Sequence, residues 1–279
     1  MRIIEAKKIT EVVSNLCLKA NCSLRSDVFK KLRLAYKKET DKKAKSALAA
    51  IIKNAEVAKK EQLAICQDTG FPIVFVEIGQ EVRVKGDLKK AINRGVIKGY
   101  KKGNFRESII QNPLIRKNPT YGGAIIHTDI VKGKKLKITV MPKGFGCENK
   151  STLKMFLPTA NIEEVREFIV DAVKSAGPDA CPPYIVGVGI GGGAEFASLL
   201  AKKALIREEG LSSRESGAGL FLERDLLNRI NKLKIGPMGL GGRTTALAVN
   251  IETYPTHIAG LPVAVNLSCH ALRSATAIL

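Results

Sequence analysis

Apolar residues recur every three to four positions through the first sixty residues, a period that predicts helices. Ile4, Ile9, Val12, Val13 and Leu16 make one such face, and Asn21-Cys22-Ser23 interrupts it. A second helical stretch is expected at about 27–39 and a third at about 40–58. The third is the strongest. Thr40-Asp41 stands before Lys42 as a cap, and Ala44, Leu48, Ile51, Ile52 and Ala55 fall on one side.

Beyond Gln62 the texture changes. Phe71–Ile78 is a run of Val, Ile and Phe that ends at Gly79-Gln80 and reads as a strand. A basic helix is expected at about 87–101. Residues 124–130 and 136–142 read as paired strands around Lys132-Gly133-Lys134-Lys135, and Lys143–Ser151 reads as a loop. A helix at about 161–175 takes Asn161 as its cap. Strand Tyr184–Ile190, helices at about 194–209 and 219–232, and strands Thr244–Glu252 and Ala259–Asn266 complete the pattern. The fold class expected is α+β, with helices packed around mixed sheet and cysteine-bearing loops on one face. A helical part, residues 1–62, leads into a glycine-rich α/β part, residues 63–279. With no internal repeat and no low-complexity linker, residues 1–279 read as one domain.

The chain carries a net charge of +20, with 45% hydrophobic and 26% charged residues. That balance suits a soluble globular protein. No apolar window approaches the ~20 residues of a membrane helix, and the start lacks the apolar core of a secretory signal, so a cytoplasmic protein is expected. The charge raises nucleic-acid binding as a class. Against it, no helix-turn-helix, finger spacing or stacking pattern of aromatics is present. The lysines are spread over helices and loops, as solvated faces that also steer an anionic substrate. Neither nucleic acid nor membrane is expected as a partner.

Gly187-Val188-Gly189-Ile190-Gly191-Gly192-Gly193 stands between a strand and a helix, the place of a dinucleotide loop. Its spacing is blurred, and no acidic residue ends a strand at the required distance. Close backbone approach explains it better. Three cysteines sit beside small, polar or turn-forming residues: Cys66 before Gln67-Asp68-Thr69-Gly70, Cys181 before Pro182-Pro183-Tyr184, and Cys269 before His270. Three thiolates from distant segments suit an iron–sulfur cluster with one iron open, but their spacing matches no compact metal motif. On spacing alone, isolated core cysteines remain the competing explanation. Cys17 and Cys22, in the first helix, read as structural thiols.

The motifs in order carry more than any one of them. Cys66-Gln67-Asp68-Thr69-Gly70, Lys143-Gly144-Phe145-Gly146-Cys147-Glu148-Asn149-Lys150-Ser151, Cys181-Pro182-Pro183-Tyr184 and Gly236-Pro237-Met238-Gly239-Leu240-Gly241-Gly242 together resemble the iron–sulfur class I fumarate hydratases and the related L-tartrate dehydratases. The resemblance runs from about residue 60 to the end. It implies a [4Fe–4S] cluster held by Cys66, Cys181 and Cys269, with Cys147 near the site but not a ligand. It implies that Gln67 and Asp68 contact substrate and that Arg106 clamps a carboxylate. Gly144, Gly146, Asn149 and Lys150 would offer donors, and His257 would be an active-site histidine. The chain resembles the alpha subunit of the two-gene form. A beta subunit would then supply the base and further cationic residues, in an assembly of two alpha and two beta chains.

The chemistry of the residues agrees with this. Hydrating a dicarboxylate alkene needs cations for two carboxylates, a polarised hydroxyl and a proton moved at the next carbon. Arg106 serves the first need, an open iron the second, and Asp68 or His257 the third. Reversible hydration of fumarate to L-malate is the expected reaction, with tartrate dehydration to oxaloacetate as the alternative. A basic nucleic-acid-binding protein or a non-catalytic iron–sulfur protein is a weaker alternative. His127, in a strand-like run, reads as a structural histidine.

Overall fold

The computed structural model describes residues 1–207 and 217–279. The chain forms two compact units, interleaved in sequence. One comprises Met1–Arg25, Asn54–Phe145 and Arg273–Leu279, and the other Ser26–Lys53 and Gly146–Leu272. Helices and mixed sheets in both give the expected α+β class.

The first unit opens on β1 (Arg2–Glu5) and α1 (Ala6–Cys22), so the start of the chain is a strand where a helix was expected. β1 pairs in parallel with β3 (Val82–Lys85). The main sheet is centred on β2 (Phe71–Gly79). It runs parallel to β4 (Ile125–Val131) and antiparallel to β5 (Leu136–Lys143), and β5 carries β10 (Ala275–Ile278) on its other side. The hairpin expected between 124–130 and 136–142 is therefore not formed. β2 lies between the two strands because it is apolar on both faces, whereas β4 is half polar and takes the edge. The loop between β4 and β5 arches over the end of β2. Gly79 N–H donates to the Lys135 carbonyl (2.9 Å), and a side chain at Gly79 would strike the Gly133 carbonyl.

Helix α4 (Leu88–Lys102) covers this unit's core against α1. Asp87 caps it, accepting from Lys90 N–H at 2.8 Å. The two helices touch through glycine: a Cβ on Gly99 would lie 2.7 Å from the Ser14 carbonyl oxygen and 2.8 Å from Cys17 Cβ. Ile9, Val13, Ile92 and Val96 fill the space between these helices and Val74, Val76, Ile138 and Val140 of the sheet.

The second unit holds α2 (Ser26–Lys38) and the first part of α3 (Lys42–Glu61), which Asp41 caps through Ala44 N–H at 2.9 Å. Its sheet is β6 (Thr152–Phe156), β9 (Leu261–Ser268), β7 (Tyr184–Gly192) and β8 (Ala246–Thr256). β7 is parallel to β8 and antiparallel to β9, so each unit's central strand has one parallel and one antiparallel neighbour. Helices α6 (Ile162–Ala176) and α8 (Gly217–Asn231) share one core with Val186, Val188, Val263 and Val265. Asn161 and Glu164 close a full capping box on α6.

Helix α7 (Ala194–Ile206) lies on the other face, and here the glycine run finds its use. A Cβ on Gly187 or Gly189 would overlap the carbonyl oxygens of Ala201 and Ala197. The run seats a helix on a strand; the nucleotide reading set aside from its spacing finds no support here. The last two residues of the helix expected at 194–209 lie outside the described residues. Gly189→Ala forces α7 off β7. It should destabilise the protein by about 1–3 kcal/mol, the range for overpacking a close contact. A lower urea midpoint with unchanged m-value checks this; an unchanged midpoint would show that α7 tolerates displacement.

Candidate functional site

The Cys66–Gly70 loop hangs between α3 and β2, and its backbone is held on either side of Cys66 and Gln67, at Ile65 before them and at Thr69 and Gly70 after. Ile65 N–H donates to the Asn21 carbonyl (2.9 Å), and the Ile65 carbonyl accepts from Asn54 Nδ2 (2.9 Å). The Asp68 carboxylate accepts Gly70 N–H at 2.9 Å through Oδ1 and Phe145 N–H at 2.8 Å through Oδ2. The buried Tyr100 hydroxyl lies 2.8 Å from the Thr69 carbonyl and 3.1 Å from that of Gly70. Cys66 and Gln67 are left presented, the thiol half-buried and the amide exposed.

Asp68 brings two of the sequence motifs together. Its Oδ2 lies 3.3 Å from where a Cβ on Gly144 would stand, so Gly144 keeps the approach open. Arg106 is exposed in the same unit. It follows buried Phe105, whose ring meets Tyr100 edge-on at 5.4 Å. Burial pushes the Tyr100 phenol well above its usual range, so it serves as a neutral donor. His127 stacks on Phe75 at 5.4 Å, in keeping with a structural part.

In the second unit, Cys181 lies three residues before β7 and Cys269 immediately follows β9. Because β7 and β9 are antiparallel, with Ile185 opposite Ser268, both thiols stand at one end of the sheet. His270 fastens them: its backbone N–H (3.4 Å) and Nδ1 (3.0 Å) both meet the Cys181 carbonyl. Cys181 adopts a left-handed backbone (φ +57°). The glycine turn supports it from below, since Met238 N–H donates to the Pro182 carbonyl at 2.8 Å. That turn is held in its own right by buried Glu39, which accepts Arg243 N–H at 2.8 Å and would meet any side chain at Gly242.

Short helix α5 (Phe145–Glu148) carries Cys147, expected in a loop. Cys147 is buried and donates to the Ala180 carbonyl at 3.3 Å, beside Cys181. Lys150 pairs with Asp179 at 2.9 Å. Glu148 pairs with Lys202 and accepts from Asn266 (3.1 Å), fixing the segment to α7 and β9. Gly146 and Asn149 are exposed. His257 is exposed in the turn between β8 and β9, and its Nδ1 accepts Ala259 N–H at 3.2 Å, so the neutral ring carries its proton on Nε2. All eight residues of β9 separate it from Cys269, about 25 Å at strand rise, at the opposite end of the sheet.

The thiols fall into two classes. Cys66, Cys181 and Cys269 are half-buried on loops, and Cys17, Cys22 and Cys147 are buried. Burial pushes the Cys17 thiol up to about 12 and raises Cys22 also. Thiolate donors reached from solvent, on loops pinned by their neighbours, fit a cluster of the kind the resemblance implies. Among the described residues, no three His, Cys, Asp or Glu side chains are gathered as a metal site. Asn21, Tyr100 and Glu39 leave only weak signals in the sequence: Asn21 and Tyr100 are polar-tipped side chains at helix positions where the apolar period expects a core residue, and Glu39 directly follows α2.

A family model described as fumarate hydratase (Fumerase) matches residues 10–278. A protein of Methanocaldococcus jannaschii, provisionally named L(+)-tartrate dehydratase subunit alpha, is 41% identical over 276 residues and 96% of each chain. The L(+)-tartrate dehydratase alpha subunits of Escherichia coli and Shigella sonnei are each 30% identical over 273 residues, 96% of this chain and 90% of theirs.

Two outcomes follow from the site's geometry. In the cluster-free chain, maleimide should label Cys66, Cys181 and Cys269 rapidly and Cys17 only on unfolding; fast labelling of Cys17 would contradict its burial. Asp68→Asn leaves one of two amides without its acceptor, a loss of about 1–3 kcal/mol. Hydrogen exchange should quicken at Gly70 or Phe145, and unaltered exchange at both would remove the bracket.

Proposed function

This chain belongs to the fumarate hydratase (Fumerase) family and is a hydro-lyase, and we propose that it is the alpha subunit of an iron–sulfur enzyme acting on a four-carbon dicarboxylate. The observation that carries this reading is the pinned Cys66–Gly70 loop, which leaves a thiol and an amide side chain presented beside the Asp68 bracket. Cys66, Cys181 and Cys269 would hold a [4Fe–4S] cluster. Bound there, with one iron lacking a protein thiolate, it supplies a Lewis acid for the substrate hydroxyl.

The chain's own residues do the rest of their half. Arg106, exposed and carried by a buried anchor, takes a substrate carboxylate through its planar fork. Gln67 donates to the same substrate. Asp68 spends one lone pair of each oxygen on backbone amides and keeps the others to accept from the substrate hydroxyl. Gly144, Gly146, Asn149 and Lys150 offer donors along one segment. Asp68 or His257 would help to move the proton; His257 stands at the other end of β9 from Cys269.

The alpha designation of the relatives supports a beta partner, which would bring the base and the second carboxylate clamp in an assembly of two alpha and two beta chains. Hydration of fumarate to L-malate is the first substrate pair. Dehydration of L-tartrate to oxaloacetate is a second reading, favoured by the names of the relatives. The ratio of kcat/KM for malate and tartrate, measured anaerobically with both subunits, decides between them.

Anaerobic reconstitution should load about four irons per chain with broad absorption near ~400 nm. Serine at Cys66, Cys181 or Cys269 should abolish the loading, and Cys147→Ser should not. Loss in Cys147→Ser with retention in one of the other three would overturn the ligand set. Arg106→Ala should lower kcat/KM roughly 10- to 200-fold, with the absorption intact. Arg106→Lys should also impair it, because the charge stays but the fork is lost. Unchanged kinetics in Arg106→Ala would move the clamp elsewhere.

A further inference from the structure

Arg273, in the Cys66 unit, is a buried charged side chain that makes no ion pair among the described residues. Arg273 is 3% exposed. Its Nη1 donates to Asn21 Oδ1 at 3.1 Å, and its Nε has no hydrogen-bond partner among the described residues. A guanidinium taken out of water without a directly paired carboxylate is costly, and an apolar side chain would be buried here without that penalty. Retention of a cation here points to a task other than filling space.

Its surroundings show the task. Asn21, fully buried at the end of α1, takes Arg273 on its side-chain oxygen and Ile65 N–H on its backbone oxygen, and its own amide turns back to Cys17. The path from Arg273 therefore runs through Asn21 to the residue before Cys66. On its other side, Arg273 Nη2 lies 3.6 Å from where a Gly144 Cβ would stand, and Asp68 Oδ2 lies 3.3 Å from the same point. Guanidinium and carboxylate face each other across one glycine. The residue before Cys66 thus meets Arg273's direct partner, and Arg273 and Asp68 approach Gly144 from the same side.

We propose that Arg273 is a positioning residue that fixes Asn21 and the Gly144 side of the Asp68 bracket, and so sets the direction in which Cys66 and Gln67 are presented. Its catalytic meaning rests on the function proposed above; its bracing of the loop does not.

The experiment compares Arg273→Lys, Asn21→Ala and the double variant in the full chain. Amide exchange at Ile65 should quicken about tenfold in either single variant, with Val74 and Val140 in the sheet unchanged. The double variant should be no worse than the singles, because one path is cut twice. Should Arg273→Lys not fold, Asn21→Ala makes the same test. Unchanged exchange at Ile65, equal loosening of Val74 and Val140, or additive losses would each overturn the bracing. With the beta subunit and cluster present, kcat should fall about tenfold with KM nearly constant, since Arg273 touches no substrate. Loosened exchange with unchanged kcat would overturn the positioning role. A wild-type complex that dehydrates neither malate nor tartrate would fail the proposed function and leave the exchange comparison to decide the bracing.

Discussion

A carboxylate that accepts two backbone amides is the constraint on which the Cys66 side of the site depends. Asp68 closes its own loop through Gly70 and captures a second loop through Phe145. Two loops with no regular pairing between them thereby acquire one geometry. Hydrogen bonds to a charged acceptor are about twice as strong as neutral ones, which suits a segment that must stay ordered beside solvent. Tyr100 adds a neutral donor from α4, and Asn21 and Asn54 hold Ile65. These contacts fall on backbone groups, so the side chains of Cys66 and Gln67 are left presented.

The second unit reaches a similar end by different means. There an antiparallel strand pair places Cys181 and Cys269 at one edge, and His270 binds one loop to the other. Glycine does the shaping: Gly187 and Gly189 let α7 approach the central strand, and the turn around Met238 supports Pro182. The candidate residues in both units thus sit on short loops at strand ends, an arrangement that can give a site precision without a large core of its own.

Much of this was legible in the chain. The Val- and Ile-rich run at Phe71–Ile78, the Asn161 cap and the strand after Cys181 are local signals, and each marks the element observed. Sheet order is not local. The strands at 125–131 and 136–143 invite a hairpin, and only the apolar character of β2 on both faces explains why it lies between them. The interleaving of the two units is equally invisible, since residues 26–53 belong with 146–272 through partners such as Glu39 and Arg243, which are far apart in sequence. Of the site, the thiols and Asp68 were readable from their motifs. Arg273 was not, because a single arginine in an apolar terminal segment looks like surface until its burial is known.

The central claim is that three half-buried thiols on pinned loops hold a cluster whose fourth iron is left for substrate. Mössbauer spectroscopy of the anaerobic, ⁵⁷Fe-reconstituted complex tests it most directly, before and after addition of malate or tartrate. The account predicts that the signal of one iron in about four changes with the dicarboxylate while the others stay constant. Four irons that do not respond to either compound, or a chain that takes up no iron and still turns over, would contradict it.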